Sequence, residues 1–226
     1  MDFDRYLSLI ENDFKEKFDI LKNELQEGNK KFNLTAICDD EGIKVKHFLD
    51  SVAGESFFKE NANVVEIGSG GGFPSLPLKI IRGDLHFTLV ESTGKKCVYL
   101  QSVVDKLALT NVKVLNVRAE DAARQVINRE MYDVACARAV ARLNTLCEYC
   151  LPFVKVGGSF IAYKGDCEEE LEEAKRAIEV LGGEISAVER YTLQGDKRTL
   201  VVIKKVKSTP AKYPRGQGKE RKNPIV

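Results

Sequence analysis

The chain has 226 residues, of which 43% are hydrophobic, 8% aromatic and 31% charged, with 17 glycines and 6 prolines. That composition supports one substantial α/β core with an extension, and it excludes a disordered, collagen-like or low-complexity chain. The formal net charge of +1 hides an asymmetry: ten Lys/Arg against the single acid Glu220 give +9 from Lys197 to Val226, leaving −8 on the preceding 196 residues.

The N-terminal MDFDRYLSLIENDFKEK is acidic and amphipathic, unlike a secretory signal. No apolar run approaches the roughly 20 residues that span a bilayer. A cytosolic protein with reduced thiols is therefore expected. Over 3–27, Phe3, Tyr6, Leu7, Ile10, Phe14, Phe18, Leu21 and Leu25 recur at helical spacing. Phe32-Asn33-Leu34-Thr35 breaks that pattern, and 41–58 reads as one or two further short helices containing His47, Phe48 and Ser51.

From Asn63 the texture changes to strands alternating with helices. Strands are predicted at 64–67, 85–91, 112–117, 132–137 and 158–163, and helices at 77–82, 94–108, 120–129, 142–150 and 168–181. This alternation implies a parallel sheet covered on both faces. The last two strands, 184–192 and 199–206, have only the Gly195-Asp196 turn region between them and read as an antiparallel hairpin. From Ser208 the chain has three prolines and no helical period, so an extended arm or loop is expected. Its positive charge suits a polyanion, nucleic acid before membrane, although a merely solvated tail has the same composition.

The six cysteines do not form a metal site. Cys147 and Cys150 are the one C-x-x-C, with no second pair and no histidine pair nearby, and helical spacing puts them on one buried face. Cys136, within Ala135-Cys136-Ala137, reads as a small core residue.

The chemistry is concentrated at strand ends. The first strand runs into Glu66-Ile67-Gly68-Ser69-Gly70-Gly71-Gly72-Phe73-Pro74. In open α/β sheets, ligands bind beyond such ends, and glycine lets the backbone approach them. The dinucleotide pattern G-x-G-x-x-G fails because Phe73 stands where the third glycine belongs, and no Lys-Ser/Thr follows to make a phosphate loop. An acid before three alternating glycines (Glu66, Gly68, Gly70, Gly72) suits a cationic ligand such as S-adenosylmethionine better than a pyrophosphate. Glu91 ends the second strand, 23 residues after Gly68, where a carboxylate can accept both ribose hydroxyls of an adenosine. Arg118-Ala119-Glu120-Asp121 ends the third strand, where an acid can take the adenine amino group or simply favour a helix N-terminus. Arg138 follows the fourth strand, where amino-group methyltransferases carry an Asn/Asp-Pro-Pro-aromatic motif.

From Asn33 to Arg215 the sequence resembles the bacterial 16S ribosomal RNA guanine-N7 methyltransferases (RsmG, or glucose-inhibited division protein B). The segments that carry the resemblance include Asn33-Leu34-Thr35-Ala36-Ile37, His47-Phe48-Leu49-Asp50-Ser51, the Gly68 loop through Pro74 and Glu91-Ser92-Thr93-Gly94-Lys95-Lys96. Further on come Arg118-Ala119-Glu120-Asp121, Ala137-Arg138-Ala139-Val140-Ala141, Lys164-Gly165 and Tyr213-Pro214-Arg215. The resemblance implies a Rossmann-like class I methyltransferase, with a seven-stranded, mostly parallel sheet, an antiparallel terminal hairpin and an N-terminal helical extension. The corresponding regions are 1–60 (extension), 61–207 (methyltransferase domain) and 208–226 (basic arm). It implies S-adenosylmethionine as donor, S-adenosylhomocysteine as product and a guanine N7 in the decoding-region loop of 16S rRNA as acceptor, in the small subunit or its assembly intermediate.

Gly68, Phe73, Ala119, Glu120 and Arg138 match the family's donor-binding positions, and Glu66, Gly70, Gly72 and Glu91 join them from the motif reading. Asn33, Arg118, Lys164, Arg198 and Arg215 resemble polar or basic positions that face RNA, with Arg138, Lys164 and Arg198 expected at the transfer itself. Glu66 replaces the more usual Asp, and Ser75 replaces a Gly after Phe-Pro. Guanine N7 has a free lone pair, so alignment suffices and neither a general base nor a covalent adduct is required. Asp133 is a candidate to stabilise the cationic product. The alternatives are a non-catalytic RNA-binding protein on the same scaffold and an NAD-dependent oxidoreductase, against which Phe73 and Glu66 both count. With no heptad run left over, a monomer is expected.

Overall fold

The computed structural model describes all 226 residues. The first block is helical: α1 (Phe3–Ser8), a π-helical turn (Leu9–Asp13) and α2 (Lys15–Phe32). Asn33, at φ 50°, ends α2 in the left-handed region that Asn tolerates. Next, α3 (Asp40–Gly42) and α4 (Asp50–Val52) are joined through a π-helical stretch, Ile43–Leu49. Asp39 starts this segment by accepting the Gly42 N–H at 2.7 Å.

The alternating region forms β1 (Asn63–Ile67), α5 (Ser75–Ile81), β2 (His86–Glu91), α6 (Gly94–Lys106), β3 (Val112–Asn116), α7 (Ala119–Ala122) and β4 (Tyr132–Arg138). It continues through α8 (Leu143–Cys150), β5 (Val154–Lys164), α9 (Glu168–Val180), β6 (Gly183–Leu193), β7 (Asp196–Lys205) and α10 (Lys219–Lys222). Most bounds fall close to the predicted ones. The helix expected over 120–129 is the exception and stops at Ala122. Beyond it Val126 and Ile127 are 89% and 73% exposed, so no apolar face is buried to hold further turns.

The seven strands lie in the order β3-β2-β1-β4-β5-β7-β6. Only β7 runs against the others, paired with β5 on one side and β6 on the other. The chain leaves β1 in one direction to build β2 and β3 and in the other to build β4 and β5, so the order reverses between β1 and β4. Crevices at such reversals are where open α/β sheets hold ligands.

Side chains alternate across the sheet with period two. Val64, Cys136, Ile161 and Val202 face one core, while Val65, Ala137, Ala162 and Ile203 face the other. The first core is shared with the N-terminal helices through Phe18, Leu21, Leu25, Phe48 and Val52, and with α5 and α6 through Leu76, Leu100 and Val103. Residues 1–60 therefore cover one sheet face rather than forming a core of their own. Arg82 reinforces the join, bonding Glu55 and Asp84 at 2.8 Å each. The second core lies under α8 and α9, where Cys147 and Cys150 are fully buried packing residues. No helix is long and apolar enough to cross a membrane.

The arm after Lys205 is the loop rather than the extended arm of the expectation, irregular apart from α10 and folded against the body. Arg129 donates to the carbonyls of Thr209, Pro210 and Tyr213, Arg124 donates to those of Pro214 and Arg215, and α10 packs against α8. Backbone carbonyls consume these arginines, an interaction without a sequence period.

Candidate active site

Two cavities open at the carboxyl ends of the strands. The first, about 340 Å³, lies beside β1, β2 and β3. Gly68 forms its floor at φ 69°, and its N–H donates to Val90 O at 2.8 Å. A Cβ on Gly68 would sit 2.7 Å from Val140 Cγ2, so the residue must be glycine for space as well as conformation. Gly72 (φ 88°) turns the loop down onto α5, where a Cβ would meet Leu76 Cδ1 at 2.3 Å.

The buried Glu91 carboxylate locks this loop to β2. Its two oxygens accept the N–H groups of Gly70 (3.0 Å) and Thr93 (2.7 Å), which leaves lone pairs for hydroxyl donors. Across the cavity stand Arg118, Ala119 and Glu120 at the start of α7, with Val90, Val117 and Tyr149 as apolar walls. Glu120 is buried yet lines the space, an acceptor available to a purine amino group. A Cβ-free floor, the buried Glu120 carboxylate and apolar walls fit an adenosine, while Glu91, Gly70 and Gly72 shape the loop without lining the cavity themselves.

Glu66 departs from its expected role. It lies behind the glycine loop, lines neither cavity, and both carboxylate oxygens are buried without a hydrogen-bond partner. Burial pushes its pKa up to about 8, so it is protonated at neutral pH and offers no fixed anion to a cationic ligand.

The second cavity, about 310 Å³, brings together Arg138 from β4, Lys164 from β5 and Arg198 from β7, the three residues expected at the transfer. Arg138 is anchored to the helical extension. Its guanidinium donates to Lys46 O (3.0 Å), Asp50 Oδ2 (3.1 Å) and His47 Nδ1 (2.8 Å), and it lies over the Phe73 ring at 5.1 Å. Since Arg can only donate, His47 Nδ1 is unprotonated and Nε2 carries the proton toward Thr35 Oγ1 at 2.8 Å. Burial and the neighbouring Arg138 push the His47 pKa down to about 3, and its ring stacks on Phe73 at 4.7 Å. Phe73 thus braces the Arg138 and His47 cluster and does not line the first cavity.

Asp50 closes the cluster, accepting from Tyr191 Oη at 2.8 Å as well as from Arg138. Lys164 bonds Ala141 O (3.0 Å) and Glu170 (2.7 Å), and Arg198 bonds Asp196 (3.4 Å). Between the cavities runs the loop after β4: Ala139, at φ 55°, lines the second and Val140 lines the first.

Other expected positions fall elsewhere. Asn33 is exposed at the end of α2 and lines neither cavity. Arg118 faces the adenosine-shaped cavity. Arg215 is held by Glu148 at 2.7 Å, so its charge is already paired inside the molecule. Asp133 sits at the opposite end of β4, bonded to Asn63 N (2.9 Å) and Lys155 (2.5 Å), and cannot stabilise charge at the site. Cys136 is fully buried and burial raises its thiol pKa well above the usual value, which leaves no thiolate nucleophile there. No group of three or more His, Cys, Asp or Glu side chains is placed to hold a metal ion. The roles of Asp50, His47, Tyr191, Tyr149 and Arg221 carry no local signal; the one hint was the His47–Ser51 segment itself.

A sequence profile of the family described as rRNA small subunit methyltransferase G (GidB) matches residues 14–201. The chain belongs to this family. Relatives named ribosomal RNA small subunit methyltransferase G include one from Acetivibrio thermocellus, 45% identical over 214 residues, covering 93% of this chain and 88% of its own. Another, from Clostridium beijerinckii, is 43% identical over 224 residues, covering 97% and 93%. Among solved structures, a SAM dependent methyltransferase from Aquifex aeolicus aligns with a TM-score of 0.55 at 18% identity, over 73% of this chain and 93% of that one. M. jannaschii TYW2 in complex with AdoMet aligns with a TM-score of 0.56 at 17% identity, over 76% and 80%. This chain and these solved structures share one fold.

Proposed function

We propose that this chain methylates N7 of one guanine in the decoding-region loop of 16S rRNA, with S-adenosylmethionine as donor and the cytosol as its compartment. S-adenosylmethionine, when bound, supplies a methyl group made electrophilic by its sulfonium. The residues that would hold it are Gly68 and the loop it begins, Glu91 toward the ribose, and Ala119 and Glu120 toward the purine. The adenosine-shaped cavity and family membership support this reading.

The observation that supports an acceptor needing no deprotonation, as N7 of guanine does not, is the chemistry of the second cavity; the choice of N7 itself rests on the family resemblance. Its acids and bases are all engaged. His47 is neutral with both ring nitrogens bonded, Asp50 serves Arg138 and Tyr191, and Glu170 serves Lys164 and the Leu143 N–H. Nothing there is free to remove a proton, and an acceptor with a ready lone pair needs none. What the cavity offers is cationic: Arg138, Lys164 and Arg198 can hold guanine O6 and nearby phosphates. Alignment of the acceptor nitrogen with the methyl carbon is then the main catalytic device. Exposed Asn33 can contact RNA at the edge of the site, whereas Arg118 serves the donor side and Arg215 the fold.

The test is incubation with labelled S-adenosylmethionine and small ribosomal subunits lacking this modification, in parallel with naked rRNA, followed by nucleoside mass spectrometry. N7-methylguanosine at one site is the expected product, and the better substrate dates the reaction within assembly. Methylation of any other atom refutes the N7 assignment.

A further inference from the structure

The C-terminal segment reaches the first cavity. Its path is fixed at successive points. Lys205 is buried and donates to Leu151 O (2.6 Å) and Thr209 Oγ1 (2.5 Å), with Glu130 at 3.2 Å. Glu148, itself buried, takes the Arg215 guanidinium through both oxygens. Gly216 (φ 74°) and Gly218 (φ 73°) then turn the chain into α10. Within α10, Glu220 is fully buried. Its carboxylate accepts the Gly216 N–H, and its carbonyl accepts Thr145 Oγ1 at 3.1 Å.

This anchoring sets the next residue, Arg221, at the cavity wall together with Gly218. Arg221 donates to Val140 O at 3.3 Å, joining the arm to the loop that lies over Gly68. Tyr149 and Glu120 line the same cavity, so Arg221 shares its wall with the acid expected at the purine. A planar guanidinium there can stack flat on a purine face, whereas an ammonium could meet it only as a compact point charge.

We propose that Arg221 is a donor-binding residue and that the C-terminal arm is a wall of the donor site. This rests on the donor reading above and extends it to a segment outside the matched residues 14–201. Of the arm's cations, Arg215 is spent on Glu148 within the fold, whereas Lys212, Lys219 and Lys222 stay exposed without an ion-pair partner, so Arg221 is singled out by its place at the cavity rather than by the arm's charge.

The experiment compares the full chain with R221A and R221K, measuring S-adenosylhomocysteine affinity by calorimetry and rRNA affinity by filter binding across a salt series. R221A is expected to raise the S-adenosylhomocysteine Kd by about 5- to 10-fold, with R221K recovering little. The rRNA affinity and its salt slope are expected to stay unchanged. Unchanged Kd in R221A overturns the inference, as does a salt slope reduced by about one phosphate contact. Arg221 is exposed, so R221A retains the fold, which its melting temperature checks. A wild-type chain that binds no S-adenosylhomocysteine overturns instead the donor reading beneath it.

Discussion

Asp50→Asn tests the tie between the helical extension and the site. Asp50 is 4% exposed, and its two oxygens accept from Arg138 at 3.1 Å and Tyr191 at 2.8 Å. Asparagine keeps the shape but turns one oxygen into an NH₂ that faces a donor. It also removes the anion beside the largely buried Arg138, whose side chain is 14% exposed. Leaving one member of a buried pair uncompensated costs about 3–5 kcal/mol. Since Asn keeps one bond, the lower figure of about 3 kcal/mol applies, and at about 2–4 °C per kcal/mol for a chain of this size a fall in Tm of about 6–12 °C is expected. Thermal unfolding followed by circular dichroism reads it. Hydrogen exchange should show the 40–52 segment opening first, because Asp50 and His47 are its links to β4. Tyr191→Phe removes a single bond and should cost only about 1 kcal/mol. A double-mutant cycle of D50N with R138Q completes the test: additivity to within about 0.5 kcal/mol would refute the coupling.

Three further outcomes follow from the site. Gly68→Ala places a Cβ against Val140 at a φ of 69° and should weaken S-adenosylhomocysteine binding at least about 10-fold, given about 1–2 kcal/mol of left-handed strain plus the clash, as calorimetry would read. His47 is held neutral, with its pKa pushed down to about 3 in the folded chain, so its contribution to stability is complete above pH 6.5 and is lost as the pH falls. Wild type should therefore lose about 2 kcal/mol more than His47→Asn between pH 6.5 and 5, and parallel urea-midpoint curves would contradict this. Glu66 has the opposite sign: its folded pKa is raised to about 8, so stability is lost as pH rises from 4.5 through 8. Glu66→Gln should gain on wild type steadily across that range, and a pH-independent difference in melting temperature would count against a buried, protonated Glu66.

The sheet was legible because its signals are local. Val64-Val65 leading into Gly68, the acids at Glu91 and Glu120 and the period-two strands each follow from neighbours in the chain. Most of the adenosine-shaped cavity was legible for the same reason, since Gly68, Val90, Val117, Ala119 and Glu120 follow from strand ends, whereas Tyr149 of α8 and Gly218 and Arg221 of the arm do not. The second cavity was only half visible. Arg138, Lys164 and Arg198 follow strands, but their partners His47 and Asp50 come from 91 and 88 residues earlier than Arg138. No periodicity encodes that meeting; it exists because the extension packs on one face of the sheet. Glu66 misled for a related reason: motif position gave its sequence context but not its burial. Charge composition left the arm half read, because it cannot distinguish cations facing solvent, as Lys212, Lys219 and Lys222 do, from one facing Glu148, as Arg215 does.

The strand order has a consequence for synthesis. β7 is made after β6 yet lies between β5 and β6. Until residues 196–205 have left the ribosome, β5 presents an unpaired, apolar edge and β6 has nothing to join. Such edges recruit other chains. A message truncated after β6 therefore yields a product that should aggregate rather than a smaller working enzyme, and ribosome stalling ahead of Asp196 is the step at which a nascent chain most needs a chaperone.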